Sequence, residues 1–474
     1  MTAATVFIAM LPEHLLLLGT VLLIILAISG RWSGAALGLA LLCVGAAAAA
    51  AAGLAFTGTA EAPFPGHFSV DAAGLWAKAI VLALALPVLL MARGEFGTRN
   101  AEGEFAALLL SSLYGVCLVQ SADSFLTLFL GLELMSLPVY VLVLLAYRRP
   151  QSAEAALKYL VLGGTASAML LMGASLLYGG SATLSIETFA SALTASDTMA
   201  RAAAVLVILA LFLKAAIVPL HAWAPDAYEA ASAPVTAYMA TIVKAGVLLA
   251  ALRLFGQAQL ASPMLELLAL LPLASIVWGN LAAMKQPSLR RMIAYSGVAH
   301  AGYLFYALLG DAAGRLQALA FYLLVYGLMN LLAFAALPPV SVTTDDRERD
   351  RLDNLKGLFQ RAPFAALTIA IAMLSLAGIP PLPGFIAKFL IFRNVMAAGH
   401  TTYAVLGLVG SYLGIYFYLR VIQLMFMSPL SPIAVGGRPG VAAGAGLGAR
   451  VATLACLVAA LLVAVFPAWV MAGF

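Results

Sequence analysis

The sequence predicts an all-α polytopic membrane protein with about fourteen transmembrane helices. Composition is the first reason: 64% of the 474 residues are hydrophobic and 9% are charged, whereas soluble domains are about 45–50% apolar and about 25% charged. The second reason is the recurrence of apolar runs of about 20 residues, the length that crosses a bilayer. The third is that no alternation of period two is sustained, and helices satisfy their own backbone groups inside lipid.

The candidate spans cover nearly the whole chain. In order they are 9–29, 34–56, 71–92, 104–121, 124–146, 153–178, 199–229, 233–254, 263–284, 289–309, 315–337, 363–392, 402–426 and 449–472. The first span follows no basic segment and precedes no small-residue cleavage site. We therefore expect a retained helix rather than a signal peptide.

The distribution of basic residues predicts the orientation. One set of alternate loops holds most of the loop cations, namely Arg31, Arg93, Arg99, Arg148, Arg149, Lys285, Arg290, Arg291, Arg347, Arg349, Arg351, Lys356, Arg361, Arg438 and Arg450. The other set holds few cations and includes the acids Glu61, Glu187 and Asp197. The positive-inside rule places the first set in the cytoplasm, and an even number of helices then leaves both termini outside. Because the net charge of +5 belongs to these loops, the expected partner is the lipid bilayer and not nucleic acid.

Two spans, the seventh and the twelfth, contain proline inside an apolar run. The stretch LFLKAAIVPLHAWAPDAYEAASAPV includes Pro219 and Pro225, and LSLAGIPPLPGFIAKFLIF includes Pro380, Pro381 and Pro383. Proline removes a hydrogen-bond donor and clashes with the preceding turn, so both helices are expected to be discontinuous. Interrupted helices in corresponding positions of two halves are typical of inverted-repeat transporters. Two ordinary proline kinks are the alternative.

Among the ionisable side chains inside apolar spans, five are candidate functional residues: Glu133, Lys158, Lys214, Lys244 and Lys388. A charge at mid-membrane costs about 2.5–3.5 kcal/mol, so each must face protein or water and have a partner. Arginine stays protonated, whereas a buried lysine changes its protonation readily. Lysines together with one glutamate therefore suit proton transfer. The alternatives are a static Glu133–Lys214 pair, a Lys158 that merely lies close to its helix start, and a Lys244 held permanently charged by backbone carbonyls.

A histidine, His300, lies in the tenth span, in YSGVAHAGY. A neutral imidazole can pass a proton between its two nitrogens, so His300 is a candidate relay residue, with a hydrogen-bonded packing histidine as the alternative. His221 is a weaker candidate. The sequence shows no metal-ligand spacing, and GAGLGAR, residues 444–450, follows no strand and is interpreted as a linker. The mixed-charge segment 343–363 is expected to form a cytoplasmic loop with a short interfacial helix.

Four stretches together resemble the antiporter-like membrane subunits of respiratory complex I. They are LGLELMSLPVYVLV, LFLKAAIVPLHAWAPDAYEAASAPVTAYMATIVKAG, MKQPSLRRMIAYSGVAHAGY and LSLAGIPPLPGFIAKF, and the resemblance covers roughly residues 100–430. It implies two inverted five-helix repeats, each with one broken helix. The implied organisation is helices 1–3 in residues 1–103, the first repeat in 104–256, the second in 257–430, and a cytoplasmic linker with helix 14 in 431–474.

The resemblance also implies residue roles and partners. Glu133 would be the glutamate of helix five and Lys214 its partner on helix seven. Lys244 would be the central lysine, Lys388 the exit-side lysine of helix twelve and Lys158 an auxiliary lysine of helix six. No cofactor is expected in this chain, because FMN, iron–sulfur clusters and quinone belong to partner subunits in this family. The expected location is the cytoplasmic (inner) membrane of a bacterium, among other membrane and peripheral subunits of complex I, with both termini periplasmic.

Three functions remain open at this point. The first is a proton-translocating subunit of an NADH–quinone oxidoreductase, and the second is a subunit of a multisubunit cation/proton antiporter, which shares this helix core. The third, a membrane scaffold with vestigial lysines, is disfavoured by the intramembrane ionisable groups. Co-purification with flavin and iron–sulfur subunits would select the first function. Sodium-dependent proton exchange without a redox partner would select the second.

Overall fold

The computed structural model describes residues 3–29, 33–96, 101–146, 150–256, 258, 260, 262–337, 351–429 and 446–471. Within these ranges, 13 helices are long and apolar enough to cross a membrane. Several residues of the sequence analysis lie outside the described part: Arg31, Arg99, Arg148, Arg149, Arg347, Arg349, Arg438, residues 343–350 of the predicted interfacial segment and residues 431–445 of the predicted linker.

The elements follow the predicted spans in order. The helices are α1 (Ala3–Ala9), α2 (Leu11–Ser29), α3 (Ala36–Phe56), α4 (Ala72–Phe96), α5 (Glu102–Ser121), α6 (Phe125–Ala146), α7 (Pro150–Ser181), α8 (Glu187–Ala192), α9 (Thr198–Ala215), α10 (Trp223–Ala230), α11 (Ala233–Tyr238), α12 (Lys244–Phe255), α13 (Ser262–Ala283), α14 (Leu289–Tyr306), α15 (Ala312–Ala335), α16 (Leu358–Arg361), α17 (Pro363–Ala377), α18 (Pro383–Ala397), α19 (Thr401–Tyr412), α20 (Ile415–Met427), α21 (Leu447–Val465) and α22 (Pro467–Met471). The sequence did not predict one short antiparallel hairpin, formed by β1 (Glu61–Phe64) and β2 (Phe68–Val70).

The seventh span breaks directly after Lys214. Helix α9 ends one residue later, and Ala216 adopts a left-handed conformation with a φ of 62°. The carbonyl of Leu213, freed by the break, accepts a hydrogen bond of 2.8 Å from Trp223 Nε1, at the start of α10. The Ala216 and Ile217 N–H groups also donate to the carbonyls of Leu213 and Phe212. Lys214 therefore lies in the last turn of a helix whose end is capped by backbone and by a side chain instead of by a further turn.

The twelfth span breaks at Gly378, whose φ of 85° is one that residues with a side chain rarely adopt. Helix α18 then starts at Pro383, a position where the missing N–H of proline costs nothing. Lys388 Nζ donates a hydrogen bond of 2.9 Å to the carbonyl of Ala377, the last residue of α17. The break explains why 13 long helices correspond to the roughly fourteen that the 20-residue rule predicts.

The eighth, tenth and eleventh spans form the buried centre of the bundle, since each is 94% buried. The first, second and last spans are only 28% buried and turn their apolar faces outward. The eighth span is irregular: a π-helical turn, Met239–Val243, joins α11 to α12, and Lys244 follows it directly. Single π turns inside α-helices often occur at functional positions, so the centre of the bundle is the natural place to look for a site.

The two remaining sequence predictions concern short segments. The described part of the mixed-charge segment contains a 3-10 turn, Leu352–Leu355, followed by the one-turn helix α16. Gly446 is the N-cap of α21, a membrane-length helix. Leu447–Arg450, the second half of GAGLGAR, therefore form the first turn of this helix, whereas Gly444 and Ala445 lie outside the described residues.

Candidate functional site: a buried row of ionisable side chains

The glutamate of the fifth span contacts the lysine at the broken end of the seventh. Lys214 Nζ lies 3.0 Å from Glu133 Oε1, and the two side chains are 5% and 19% exposed, respectively. The two residues that the sequence analysis paired are therefore in contact. Because a buried charge is tolerated in a membrane only with a partner, this ion pair explains how an almost wholly apolar helix retains a carboxylate.

Hydroxyl groups surround the ion pair. Ser167 Oγ of α7 donates a hydrogen bond to Glu133 Oε1, and Lys214 Nζ lies 3.5 Å from Ser136 Oγ. A small cavity lined by Ser136, Tyr140 and Lys214 leaves about 10 Å³ of space for the centre of a water molecule, which is roughly the room that one water needs. The pair therefore has polar neighbours through which a proton can enter or leave.

Lys158 does not belong to the buried row, the name used here for Glu133, Lys214, Lys244 and Lys388. Its side chain is 46% exposed, and Nζ forms ion pairs of 2.8 Å with Glu154 and 2.9 Å with Asp226. Arg291 of α14 contacts the same Asp226 at 2.8 Å. This network lines a pocket of about 410 Å³ near the start of α7. Lys158 is thus a partly exposed residue that ties α7 to α10, apart from the Glu133–Lys214 pair.

Lys244 lies at the centre of the bundle, where no acidic side chain of the described residues pairs with it. Its Nζ donates a hydrogen bond of 2.5 Å to the carbonyl of Gly297 and lies 5.7 Å from the centre of the Tyr326 ring. The residue is 7% exposed. A carbonyl contact is what a permanently charged lysine would use, but one carbonyl and one ring face leave part of the three-donor capacity of an ammonium group unused.

His300 is hydrogen-bonded at both ring nitrogens. Nε2 lies 3.0 Å from the Tyr418 hydroxyl, and Nδ1 lies 2.9 Å from the Tyr322 hydroxyl. The Tyr418 hydroxyl is also 2.5 Å from Ser296 Oγ. An imidazole held in this way can accept a proton on one nitrogen and release one from the other. The same contacts also satisfy a packing histidine, the alternative that the sequence left open.

Lys388 bonds the last carbonyl of α17 and also contacts a polar side chain of another helix, α19. Its Nζ donates a hydrogen bond of 3.0 Å to Ser411 Oγ and lies 5.1 Å from the centre of the Tyr303 ring. A second small cavity is lined by His300, Tyr326 and Lys388. The exit-side lysine implied by the resemblance therefore shares a cavity with the candidate relay histidine.

The row is more nearly continuous on one side of Lys244 than on the other. Towards Lys388, Tyr326 faces Lys244, and its ring centre is 4.7 Å from that of His300. Towards Lys214, the cavity beside that lysine reaches Val243 and Val247, neighbours of Lys244 on its own helix. Among the described residues, no hydrogen bond joins Lys214 to Lys244. An apolar step therefore separates the first ion pair from the central lysine.

Sequence reasoning missed several polar residues of the interior. The phenols of Tyr322 and Tyr418 gave no signal, because tyrosine is common in apolar helices. Glu13 and Lys78 form a buried ion pair of 2.6 Å, and both lie inside predicted spans, so the criterion that found Glu133 would have found them. His221 lies outside the row, where its Nε2 accepts a hydrogen bond of 3.1 Å from Trp278 Nε1.

Comparison with known proteins identifies the family. Residues 122–414, more than half of the chain, match the family described as "NADH:quinone oxidoreductase/Mrp antiporter, TM". The chain belongs to this family. The match includes every candidate residue of the buried row and both broken helices, and it begins after the first four spans.

Two relatives and one solved structure agree with membership of this family, and a second solved structure shares the fold. The chain is 40% identical over 374 residues to NADH-quinone oxidoreductase subunit N of Pelobacter propionicus, covering 79% of this chain and 80% of the relative. It is 38% identical to subunit N of Desulfovibrio desulfuricans over 439 residues, covering 87% and 85%. A chain of respiratory complex I from Thermus thermophilus with bound aureothin matches with a TM-score of 0.80 and 35% identity, covering 97% of this chain and 98% of that one. A chain of the Mrp complex from Dietzia sp. has a TM-score of 0.81 at 23% identity, covering 99% and 96%, and shares the fold.

Proposed function

We propose that the chain is subunit N of a bacterial proton-pumping NADH–quinone oxidoreductase and that it carries protons across the membrane. The observation that carries this proposal is the 3.0 Å contact between Glu133 and Lys214 at the broken end of α9. A lysine–glutamate pair at a helix break suits reversible proton transfer, whereas arginine would suit a fixed charge. Family membership and the names of the relatives support its assignment to this enzyme.

Glu133 and Lys214 control the first transfer in the proposed cycle. A close carboxylate favours the ammonium form of a lysine, and separation of the two groups favours release of the proton. Because Lys214 lies in the last turn of its helix, it can shift against Glu133 without disturbing a regular helix. Ser136 and the adjacent water-sized cavity then offer the released proton its next acceptor.

Lys244, His300 and Lys388 form the second part of the path. The proton crosses the apolar step to Lys244 and continues past Tyr326 to His300, which accepts it on one nitrogen and releases one from the other. Lys388 receives it through the shared cavity. Ser411, hydrogen-bonded to Lys388, lies on the way out of the bundle.

The organisation and setting of the chain are part of the proposal. Helices 1–3 occupy residues 1–103, two inverted repeats occupy 104–256 and 257–430, and a cytoplasmic linker and the last helix occupy 431–474. Both termini lie on the periplasmic side of the inner membrane. The partners are the other membrane and peripheral subunits of complex I, which hold FMN, the iron–sulfur clusters and quinone, and this chain contributes no redox group.

Purification with native partners tests the proposal. We expect flavin and iron–sulfur subunits to co-migrate with the chain on a native gel, and NADH oxidation by the purified complex in vesicles to build an uncoupler-sensitive proton gradient. A chain that purifies without redox subunits and exchanges sodium for protons would instead be a cation/proton antiporter subunit. That result would contradict the proposal.

A further inference from the structure

A second buried ion pair lies outside the row of Glu133, Lys214, Lys244 and Lys388. Lys78 of α4 places Nζ 2.6 Å from Glu13 Oε1 of α2, and both side chains are 1% exposed. The same Nζ donates a hydrogen bond of 2.6 Å to Ser121 Oγ at the end of α5. We call these three residues the Glu13–Lys78–Ser121 cluster. All three precede residue 122, where the family match begins.

A purely structural role explains this cluster poorly. All three helices are candidate membrane spans, where each charge is costly to bury. Replacing a buried ion pair by apolar residues of similar volume is often neutral or stabilising, so helix packing alone gives no reason to keep it. The nearby titratable side chains that interact with Glu13 are Tyr114 and Cys117 of α5. Neither of them forms the ion pair, so Lys78 is the charged partner.

Polar atoms at and beside the cluster have unused hydrogen-bonding capacity. Among the residues that the structure describes, neither carboxylate oxygen of Glu13 has a hydrogen-bond partner, and neither does Gln120 Nε2; all three atoms are buried. Glu13 Oε1 contacts Lys78 only as an ion pair. Gln120 directly precedes Ser121 in the chain. Buried polar atoms are normally satisfied, so an exception beside a buried ion pair suggests groups that exchange a proton or a water molecule.

The cluster lies next to an open pocket. A pocket of about 430 Å³ occupies the end of the bundle that carries β1 and β2, and Ala77 and Gln120 line it beside Asp71 and Asp123. Lys78 and Ser121 directly follow the two residues Ala77 and Gln120 in the chain, so the cluster lies immediately behind this wall. We call this cavity the hairpin-end pocket. The positive-inside rule places it outside the cytoplasm.

The opposite wall of the hairpin-end pocket belongs to the helix of Lys244. Leu249, Leu252 and Arg253 of α12 line it, and Leu249 is five residues beyond Lys244, roughly 7–8 Å along the helix axis. Arg253 fixes this wall, because its NH1 lies 3.0 Å from Asp71 Oδ2 at the start of α4. The pocket therefore lies between the Glu13–Lys78–Ser121 cluster and the central helix of the bundle.

We propose that the Glu13–Lys78–Ser121 cluster is a proton-holding site that exchanges protons with water in the hairpin-end pocket. Lys78 Nζ first gives a proton to Glu13 Oε1, so that one N–H bond breaks, one O–H bond forms and both groups become neutral. The neutral amine then accepts the Ser121 hydroxyl proton, while the Ser121 oxygen takes a proton from a hydronium ion in the pocket, which is left as neutral water. The cluster now holds one extra proton, and the reverse steps release it. The inference rests on the proposed function, because such a site matters only in a chain that moves protons.

Arginine at position 78 separates this role from a structural one. Lys78→Arg keeps the positive charge next to Glu13 but cannot become a neutral donor–acceptor. The paired change Glu13→Gln/Lys78→Met removes both charges at similar volume, and Ser121→Ala removes a single oxygen atom and so is the mildest change. Each variant is made in the intact complex, reconstituted in vesicles and measured as protons moved per NADH oxidised. Lys285→Arg, at an exposed position, is the matched control.

We expect all three cluster variants to lose the contribution of this subunit to protons per NADH, with the control unchanged. A structural role would change the amount of assembled complex but not this ratio. Normal pumping by any assembled cluster variant would overturn the inference, and Ser121→Ala decides alone if the other two fail to assemble. Lys214→Arg is measured in parallel. Normal pumping by Lys214→Arg would contradict the proposed function. If Lys214→Arg loses pumping while Lys78→Arg pumps normally, only the inference about the Glu13–Lys78–Ser121 cluster is overturned.

Discussion

At the scale of single residues, the choice of lysine over arginine can be tested at Lys214. Its Nζ is 3.0 Å from Glu133, and lysine can release a proton there whereas arginine cannot. We expect Lys214→Ala and Lys214→Arg both to lose the contribution of this subunit to proton pumping, because a proton-transfer group accelerates its step by about 10²-fold or more, and to lower coupled quinone reduction with it. The measurement is vesicle acidification driven by NADH, normalised to assembled complex.

The exposed lysine Lys285 provides the matched control for these variants. Lys285→Ala and Lys285→Arg remove or replace a cation of the same kind at a loop position, and both should pump as the wild type does. If Lys214→Arg retained full pumping, Lys214 would be a fixed counter-charge. The pair with Glu133 would then serve helix register, the alternative that the sequence left open.

Glu133 and Lys214 should also behave as one unit. Residues in direct contact show large interaction energies in double-mutant cycles, whereas distant residues act additively. We expect Glu133→Gln/Lys214→Met to lose little more pumping than either single change, because each alone already breaks the pair. Protons per NADH for the four proteins of the cycle provide the measurement. Losses that multiply would show that the two residues act independently.

At the scale of secondary-structure elements, the close packing at the twelfth-span break makes a specific prediction. A Cβ at Gly384 would lie 1.8 Å from the Ser375 carbonyl oxygen, so Gly384→Ala must push α18 away from α17. Overpacking of this kind costs about 1–3 kcal/mol. We expect a lower thermal stability of the purified complex and reduced pumping, since Lys388 would move from the carbonyl of Ala377.

Gly164 offers the matched control for this substitution. It also lies within a helix, but a Cβ there would meet nothing within 4 Å, and alanine favours a helix over glycine by about 1 kcal/mol. Gly164→Ala should therefore leave stability and pumping unchanged or slightly improved. Equal melting temperatures for Gly384→Ala and the wild type would show that the break is flexible enough to absorb the methyl group.

The elements show what a single sequence can predict. Apolar length predicted the helices, and proline predicted both breaks, since each signal acts within a few residues of the chain. The π-helical turn Met239–Val243 and the hairpin of β1 and β2 were not predicted. Neither has a distinctive local pattern: the turn lies in an ordinary apolar run, and Pro63 lies inside the first strand.

At the scale of the whole molecule, the members of the buried row could be predicted from the sequence, but their spacing could not. Glu133 and Lys214 are 81 residues apart in the chain, and their pairing came from a family resemblance rather than from local pattern. The sequence left open that Lys158 merely lies close to its helix start, and its side chain is in fact 46% exposed; its partner Asp226, which lies on another helix, could not be read from hydropathy. The Glu13–Lys78 pair stands in the sequence as two isolated charges, and only the fold joins them.

The last prediction asks whether the two halves of the molecule form one proton path or two. A single path runs from Lys214 through Lys244 and His300 to Lys388, so a block at either end stops the same flow. We expect Lys214→Met and Lys388→Met each to remove the contribution of this subunit to protons per NADH, and the double variant to lose nothing more. Two independent half-paths would instead leave each single variant with part of that contribution and abolish it only in the double. Because Lys388 also bonds the carbonyl of Ala377, protons per NADH must be compared at equal amounts of assembled complex, where a loss of stability lowers the yield but leaves the ratio intact.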